Sequence, residues 1–330
     1  MKRLILLKFL ALGGLIVLVH PSLAPASLIF LDDGININTY TQPSGSSMVF
    51  TNKNVGNGVL SMLFTLNDVL LTAPAGGNDI YGYSGAGGSP SVFAAVANPY
   101  GLAMDASGNV YVGANGGTSI EEFTNNTENG TTSIVAGNET TLGGSANVQV
   151  ESLAINPNGV LYEADDYSNN VINIVTSGGV TPFVTLGNGG NYSMALDYAG
   201  DLFVTFQTGF GSGGVYKITA SGAISSFFTT STVLPTGLAF DSETGELYMS
   251  YENSSGSGGG IDYFSSLALA TQSATPSLFA TDSTPGSQPF AIAVLVPEPG
   301  SIMLFAGGLL AISLFRYRRA RREMKPIAVV

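Results

Sequence analysis

Four stretches of the chain follow one pattern, and that pattern decides the fold. They read PYGLAMDASGNVYV at residues 99–112, VESLAINPNGVLYE at 150–163, NYSMALDYAGDLFV at 191–204 and PTGLAFDSETGELYM at 235–249. Each has a small residue, alternating apolar residues, Asp or Asn, a turn that ends in Gly, and an apolar residue before an aromatic one. Side chains alternate between the two faces of a strand, and Gly supplies the positive φ that tight turns need. Each stretch therefore predicts two strands joined by a short hairpin.

Looser strand pairs follow these hairpins and complete a repeating unit of four strands. Examples are residues 170–175 with 181–185, and residues 214–218 with 224–228. The small residues that begin the four hairpins are 51, 41 and 44 positions apart, and this period is typical of a β-propeller blade. An earlier, less regular unit covers residues 67–93.

The two ends of the repeat array complete each other. Residues 289–295 supply an innermost strand with no further strands after it, and residues 35–40 and 48–50 resemble the outer strands of a blade that lacks its inner strand. Pairing them closes the ring and leaves no edge strand exposed. The sequence therefore predicts an all-β fold, a six-bladed β-propeller over residues 27–296 closed by N- and C-terminal strands.

Charge is sorted by position along the chain. The net charge is −12, but nine of the eleven Lys and Arg residues lie in residues 1–26 and 297–330. Residues 27–296 hold 21 carboxylates against Lys53 and Lys217, which gives 2 − 21 = −19. Binding of nucleic acid by counterion release needs Lys and Arg along the phosphate backbone. A nucleic-acid partner is therefore excluded.

The residue types that most enzymes use are scarce. The chain has no Cys, and its one His is His20, which a leader peptide would remove. Ser-His-Asp and Cys-His catalysis, zinc sites with His or Cys ligands, and disulfides are then excluded. Carboxylate, hydroxyl, amide and two Lys side chains remain for any chemistry.

The N-terminus is typical of a secretory signal. Residues 1–8 carry three basic side chains, and residues 10–19 form an apolar run. Small residues then precede a predicted cleavage after Ala26, with a second option after Ala24. We expect residues 1–26 to be a signal peptide; the alternative is an uncleaved membrane anchor.

The C-terminus has three parts in series. VPEPGS at residues 296–301 precedes an apolar run of 14 residues, 302–315, and then an arginine cluster at 316–322. A helix of that length spans about 21 Å, shorter than the hydrocarbon core of about 30 Å. A basic flank stays in the cytoplasm, so the acidic middle is expected outside it. The sequence therefore predicts a short transmembrane helix that orients an exported chain.

This tail closely resembles the PEP-CTERM sorting signal of Gram-negative bacteria. The residues that carry the resemblance are Pro297, Glu298, Pro299, Arg316, Arg318 and Arg319. The resemblance implies transient anchoring in the inner membrane, cleavage near Pro-Glu-Pro by an exosortase, and delivery to the cell envelope, the surface or the medium. It also implies a link to exopolysaccharide. The chain departs from the family by continuing for eight residues, 323–330, and a plain transmembrane anchor is the alternative.

The repeats resemble those of NHL-type and lactonase-like six-bladed propellers. The shared pattern is Pro-x-Gly, alternating apolar residues, Asp, a Gly turn and Tyr, and the resemblance covers residues 28–296. The Arg common in the third strand of NHL blades is absent. The resemblance implies the fold, whereas propellers carry many different activities.

One column of the repeat is a candidate ligand site. It contains the residues that enter the inner strands and ring one mouth of the central channel, namely Tyr100, Glu151, Tyr192, Thr236 and Phe290. Aromatic faces can stack on sugar rings, and the carboxylate can accept hydrogen bonds. Ordinary packing between blades is the alternative.

Two acidic sets are candidate cation sites. Glu163, Asp165 and Asp166 form the densest cluster, and oxygen ligands of this kind suit Ca²⁺; a solvated loop is the alternative. The second set recurs at the hairpin turns, where we expect Asp or Asn to cap its own backbone instead of binding metal. Its members are Asp105, Asn156, Asp197 and Asp241.

These observations favour a binding or scaffold module over an enzyme. The expected partners are the exosortase, and an extracellular polysaccharide or an envelope protein. The alternative is a Ca²⁺-dependent lactonase-like hydrolase in the channel, which needs three or four inward carboxylates or amides. The sequence offers only Glu151 and, less clearly, Asn191 for that purpose. A structural protein without a ligand is the third possibility.

Overall fold

The computed structural model describes the repeat region of the chain. Within it, the described residues are 27–295, apart from 35, 42–45, 52–57, 85–88, 115–117, 125, 129–133, 145–149, 166–169, 188–189, 191–192, 210, 255–257, 271–273 and 283–288. The predicted signal peptide, the Pro-Glu-Pro segment, the apolar run and the arginine cluster lie outside these residues.

The repeat region consists of six antiparallel sheets of four strands each, arranged as the blades of a propeller. The closing blade contains, from inner to outer strand, β26 (Ile292–Leu295), β1 (Leu28–Asp32), β2 (Ile37–Thr41) and β3 (Ser46–Thr51). Blade 1 contains β4 (Val59–Phe64), β5 (Leu70–Pro74), β6 (Asp79–Tyr83) and β7 (Ser91–Ala95). Blade 2 contains β8 (Leu102–Met104), β9 (Val110–Ala114), β10 (Ser119–Thr124) and β13 (Asn138–Gly144).

The remaining three blades follow the same order. Blade 3 contains β14 (Val150–Ile155), β15 (Leu161–Asp165), β16 (Val171–Thr176) and β17 (Gly179–Thr185). Blade 4 contains β18 (Met194–Leu196), β19 (Leu202–Gly209), β20 (Ser212–Ile218) and β21 (Ile224–Thr230). Blade 5 contains β22 (Val233–Asp241), β23 (Glu246–Asn253), β24 (Gly259–Phe264) and β25 (Ser277–Asp282).

The six-bladed ring predicted from the repeats is confirmed. Each innermost strand contacts the innermost strands of both neighbouring blades, in the order β26, β4, β8, β14, β18, β22 and back to β26. Closure pairs β1 with β26, with Phe30 opposite Ala293. The two ends of the domain therefore share one sheet.

Two features of the sheets differ from the sequence prediction. The N-terminus contributes three strands to the closing blade instead of two, because Leu28–Asp32 forms β1 beside the C-terminal inner strand. Blade 2 carries an added two-stranded hairpin, β11 (Thr127–Glu128) with β12 (Ile134–Val135), between its third and fourth strands. Within the described residues, the one helix is α1 (Ser266–Leu269), and none is long and apolar enough to span a membrane.

The hydrophobic core lies between the blades. The described buried residues form six clusters, and each cluster joins two neighbouring blades. Tyr83 and Phe50, for example, meet between blade 1 and the closing blade, and Phe203 and Phe264 lie between blades 4 and 5. Both faces of each sheet are therefore buried, which explains the high apolar content of the strands.

The repeated Asp or Asn at the hairpins caps the turn, as predicted. In each case its Oδ1 accepts two backbone N–H bonds from residues that follow it. Asp105 accepts from Ser107 and Asn109, at 2.8 and 2.9 Å. The other three residues do the same within 3.2 Å, namely Asn156, Asp197 and Asp241. These side chains therefore stabilise the turns.

Candidate ligand site at the channel mouth

The residues of the predicted column occupy a special position in the inner strands. The register of β14 with β15 skips Glu151, and the register of β22 with β23 skips Thr236. Leu60 is skipped in the same way between β4 and β5. Each is the extra residue of a β-bulge, and a bulge re-aims a side chain relative to its strand. The repeat thus places these side chains at the channel mouth by a local break in strand pairing.

A polar cavity of about 90 Å³ lies at this mouth. Its walls include Glu151, Thr236 and Phe290 from the predicted column. Tyr100 does not line this cavity; it is half-buried, and its backbone N–H donates to the Gly113 carbonyl at 2.9 Å. Tyr192 lies outside the described residues. The structure therefore brings together three of the five column residues.

Thr236 and Glu151 have different environments in this cavity. Thr236 is 3% exposed, and its Oγ1 donates to the Pro289 carbonyl at 2.6 Å and lies 3.1 Å from Ser250 Oγ. Its hydroxyl therefore joins blade 5 to the closing blade. Glu151 and Phe290 are half-buried, so both are accessible from the mouth.

Three serines beside the column also line the cavity, and the sequence analysis did not identify them as site residues. Each Oγ accepts a backbone N–H from the inner strand of the next blade. The bonds join Ser61 to Leu102 at 3.1 Å, Ser152 to Met194 at 3.1 Å, and Ser193 to Leu238 at 3.0 Å. Since a hydroxyl can accept and donate at once, each serine keeps its O–H for a ligand. The signal was present in the sequence as the small residue that begins each hairpin.

The same repeat position holds glycine in blades 2 and 5, where the backbone of the next blade approaches closely. A Cβ at Gly101 would lie 2.7 Å from the Leu153 backbone nitrogen, and a Cβ at Gly237 would lie 2.6 Å from the Phe290 carbonyl oxygen. Both distances are shorter than van der Waals contact. The glycines therefore allow neighbouring inner strands to lie close together at the channel mouth.

The other end of the channel is apolar. A cavity of about 320 Å³ there is lined by apolar side chains of all six inner strands, including Met104, Ile155 and Phe240. Along both cavities, Glu151 is the one carboxylate among the described residues. A lactonase-like metal site needs several such ligands, and Asn191 lies outside the described residues. The described channel wall therefore offers a polar mouth with a single negative charge.

The acidic cluster of blade 3 is not a solvated loop in the part that is described. Glu163 and Asp165 lie in β15 and are buried, at 0% and 5% exposed. Glu163 Oε2 accepts from Asn173 Nδ2 at 2.7 Å, and Oε1 has no partner among the described residues. The pKa of Glu163 is raised to about 7, chiefly by burial; the Asn173 bond opposes this shift and the charge of Asp165 adds to it.

The calcium assignment for this cluster stays a prediction. Asp166, its third member, lies outside the described residues. Among the residues that are described, no group of three or more His, Cys, Asp or Glu side chains could hold a metal ion. Glu163 and Asp165 share a face of β15, because they are two positions apart in one strand. What the structure does establish is a buried carboxyl group, one oxygen of which has no hydrogen-bond partner in the described part of the chain.

Comparison with known sequences identifies the tail. Residues 295–319 match the family model of the PEP-CTERM protein-sorting motif, which confirms the prediction made from Pro-Glu-Pro, the apolar run and the arginine cluster. The motif implies an exported protein that an exosortase processes and that is anchored transiently in the membrane. No curated protein matches the chain.

Comparison with solved structures supports the fold. A chain in the crystal structure of a nidogen/laminin complex is similar with a TM-score of 0.62 at 14% identity, over 81% of this chain and 98% of that one. A streptogramin B lyase is similar with a TM-score of 0.53 at 16% identity, over 79% and 80%. A protein of unknown function from Bacteroides caccae is similar with a TM-score of 0.55 at 11% identity, over 83% and 100%. At these identities the likeness concerns the fold alone, so the chain is a six-bladed β-propeller that carries a PEP-CTERM sorting motif.

Proposed function

We propose that this protein is exported, is released by an exosortase, and binds a glycan of the envelope or of the exopolysaccharide matrix at the polar channel mouth. The observation that supports this most directly is the cavity that Glu151, Phe290 and the serine hydroxyls share. Carboxylate acceptors and hydroxyl donors match the hydroxyl groups of a sugar, and an aromatic ring matches its apolar face.

The size of the cavity limits how the ligand binds. About 90 Å³ is far below the roughly 300 Å³ at which enclosed small-molecule sites begin. A saccharide would therefore lie across the mouth and insert only an edge between the inner strands. Tyr100 and Tyr192 share the repeat position of Glu151, and we expect a longer saccharide to reach them. Such binding suits a polymer, because a polymer extends beyond the mouth in both directions.

Export determines where the propeller would act. Removal of residues 1–26 and of residues 297–330 would leave a domain with a formal charge of −19. Such a domain repels polyanions unless a cation bridges them. A neutral glycan is therefore the expected ligand of the mouth. The same fold occurs in a lyase and in a laminin complex, so the fold itself does not choose between catalysis and binding.

Polysaccharide binding by the purified 27–296 segment tests the proposal. We expect a glycan array or a polysaccharide pull-down to show binding, and the double variant Tyr100→Ala with Tyr192→Ala to lose it. Glu151→Gln should weaken binding about tenfold, because it replaces a charged acceptor by a neutral one. The control is Glu139→Gln, an exposed carboxylate on β13 of blade 2. Unchanged binding by both the double Ala variant and Glu151→Gln would refute a site at the mouth.

A separate measurement addresses the hydrolase. The purified segment should not hydrolyse lactones in the presence of Ca²⁺. A metal site needs several ligands, and Glu151 is the one carboxyl group among the described residues of the channel wall. Ca²⁺-dependent hydrolysis that Glu151→Gln abolishes would replace the binding proposal by an enzymatic one.

A further inference from the structure

A second cavity lies on the face of the propeller opposite the channel mouth. It has a volume of about 420 Å³ and is formed by the β18–β19 hairpin of blade 4, the β22–β23 hairpin of blade 5 and helix α1. Its walls include Tyr198, Phe240, Glu243, Lys217 and Leu269. We call it the hairpin groove. Phe240 also lines the apolar end of the channel, so the groove adjoins that end.

Tyr198 presents an aromatic ring in this groove without a structural need for one. Its side chain is 66% exposed, and its ring stands edge to face on Phe240 with centroids 5.1 Å apart and planes at 86°. The corresponding position of the other three hairpins, directly after the capping Asp or Asn, holds Ala106, Pro157 and Ser242. The turn therefore does not require an aromatic residue, and about two thirds of this side chain is accessible to a ligand.

The cation of the groove is already neutralised. Lys217 Nζ lies 2.9 Å from Asp201 Oδ2 and 3.8 Å from Asp197 Oδ2. It also donates to the Leu269 carbonyl at 3.2 Å and lies 5.3 Å from the centre of the Phe203 ring. With two carboxylates and a carbonyl around it, this ammonium group has little attraction left for an anion.

Glu243 supplies an uncommitted negative charge. Its side chain is exposed at the rim of the groove, and its carboxylate has no partner among the described residues. Counting Lys217 as +1 and Asp197, Asp201 and Glu243 as −1 each, the formal charge around the groove is −2. The domain as a whole adds to this field, with 2 − 21 = −19 over residues 27–296. A cationic ligand is thus attracted both locally and from a distance.

We propose that the hairpin groove binds a cationic saccharide, a hexosamine with a free amino group. An open aromatic face attracts an organic cation and also packs on the apolar face of a pyranose. Glu243 accepts hydrogen bonds from the ammonium group, and Thr244 and Ser266 bring hydroxyl groups to the same wall. This site differs in position and in ligand charge from the channel mouth, so each can be disabled without the other.

The test compares two ligands that differ only in charge. The full chain, solubilised in a polyoxyethylene detergent, is titrated calorimetrically with a glucosamine oligomer and with the N-acetylglucosamine oligomer of equal length, at a pH that keeps the amines protonated. We expect the glucosamine oligomer to bind at least about tenfold more tightly, because acetylation removes the cation. Equal affinity, or no binding of the glucosamine oligomer at millimolar concentration, would overturn the proposal.

Variants locate the binding in the groove. Tyr198→Ala should lose about tenfold in affinity, Tyr198→Phe should retain most of it, and Glu243→Gln should lose several-fold. The charge-matched control is Glu139→Gln in blade 2, which should bind like the unmodified protein. Equal losses in Glu243→Gln and Glu139→Gln would show that only the overall charge attracts the ligand, and the proposal would fail. Since Tyr198 and Glu243 are exposed, these substitutions leave the blade core intact.

Discussion

Replacement of Glu163 by Gln should make the propeller more stable at neutral pH. Glu163 faces blade 2, because Leu161, two positions earlier on the same face of β15, belongs to the core cluster between blades 2 and 3. Its side chain is fully buried, Oε2 accepts from Asn173, and Oε1 has no partner among the described residues. A Gln side chain keeps the acceptor for Asn173 and removes the charge.

The sign follows from the pKa in the two states. Burial raises the pKa of Glu163 from 4.5 to about 7 in the folded protein, so between these values the folded state binds a proton that the unfolded state has lost. The contribution of Glu163 to the free energy of unfolding therefore falls as the pH rises from about 4.5 to about 7, and this contribution is constant above that range. A shift of roughly 2.5 pH units corresponds to about 3 kcal/mol. Glu163→Gln should match the unmodified protein near pH 4 and exceed it by up to about 3 kcal/mol at pH 8.

Urea denaturation at a series of pH values measures this difference. The domain is first checked for a single cooperative transition by two spectroscopic probes, since the free energy of unfolding is defined only then. Subtracting the curve of Glu163→Gln isolates one group from the other carboxyls that titrate in the same range. Glu243→Gln, which changes an exposed carboxylate in the β22–β23 hairpin, serves as the control. A difference that is independent of pH, or a variant less stable than the unmodified protein at pH 8, would refute the account of Glu163.

Substitutions at three further positions can be tested by thermal or urea denaturation. Gly101→Ala should destabilise the fold by about 1–3 kcal/mol, because its Cβ would lie 2.7 Å from the Leu153 nitrogen; a neutral effect would contradict the close approach of the inner strands. Ser152→Ala should cost about 1–2 kcal/mol, because the Met194 N–H loses its acceptor, and Ser152→Thr should recover part of that loss if the hydroxyl is what matters. Asp262→Asn should raise stability above pH 6 but not below pH 4, because burial raises the pKa of Asp262 to about 6; equal effects at both pH values would exclude that cause.

The sequence predicts the ring and its closure by the two chain ends, but it does not predict strand β1. Hairpins such as residues 191–204 carry their strands, turn and capping Asp in one local pattern, so the repeat alone identifies five blades and the inner strand of the sixth. Strand β1 has no such pattern, because Leu28–Asp32 is nearly all apolar and lies outside the repeats. Its partner β26 is at the other end of the domain. Long-range pairing of this kind leaves no periodic signal in the sequence.

The candidate sites show the same division between local and long-range information. The repeat places Glu151 and Thr236 at the channel mouth, but the bulges that aim them depend on the register with the second strand. A run of acidic residues at Glu163 favours a surface loop in the sequence, whereas the structure buries Glu163 between blades because strand alternation continues through it. The hairpin groove is assembled from two blades and α1, and no single segment of the sequence contains it.

Closure of the ring by β1 and β26 also ties the order of synthesis to the order of folding. Strands β1 to β3 emerge first, but their sheet lacks its inner strand until Ile292–Leu295 has been made at the very end of the domain. The sorting motif matches from residue 295 onward, so β26 ends where the signal for release begins. A cut within Pro-Glu-Pro would leave at least two residues, Val296 and Pro297, after that strand, whereas a cut a few residues earlier would remove the inner edge of the closing blade. If an exosortase releases the protein as proposed, an intact propeller would therefore depend on how accurately that protease places its cut.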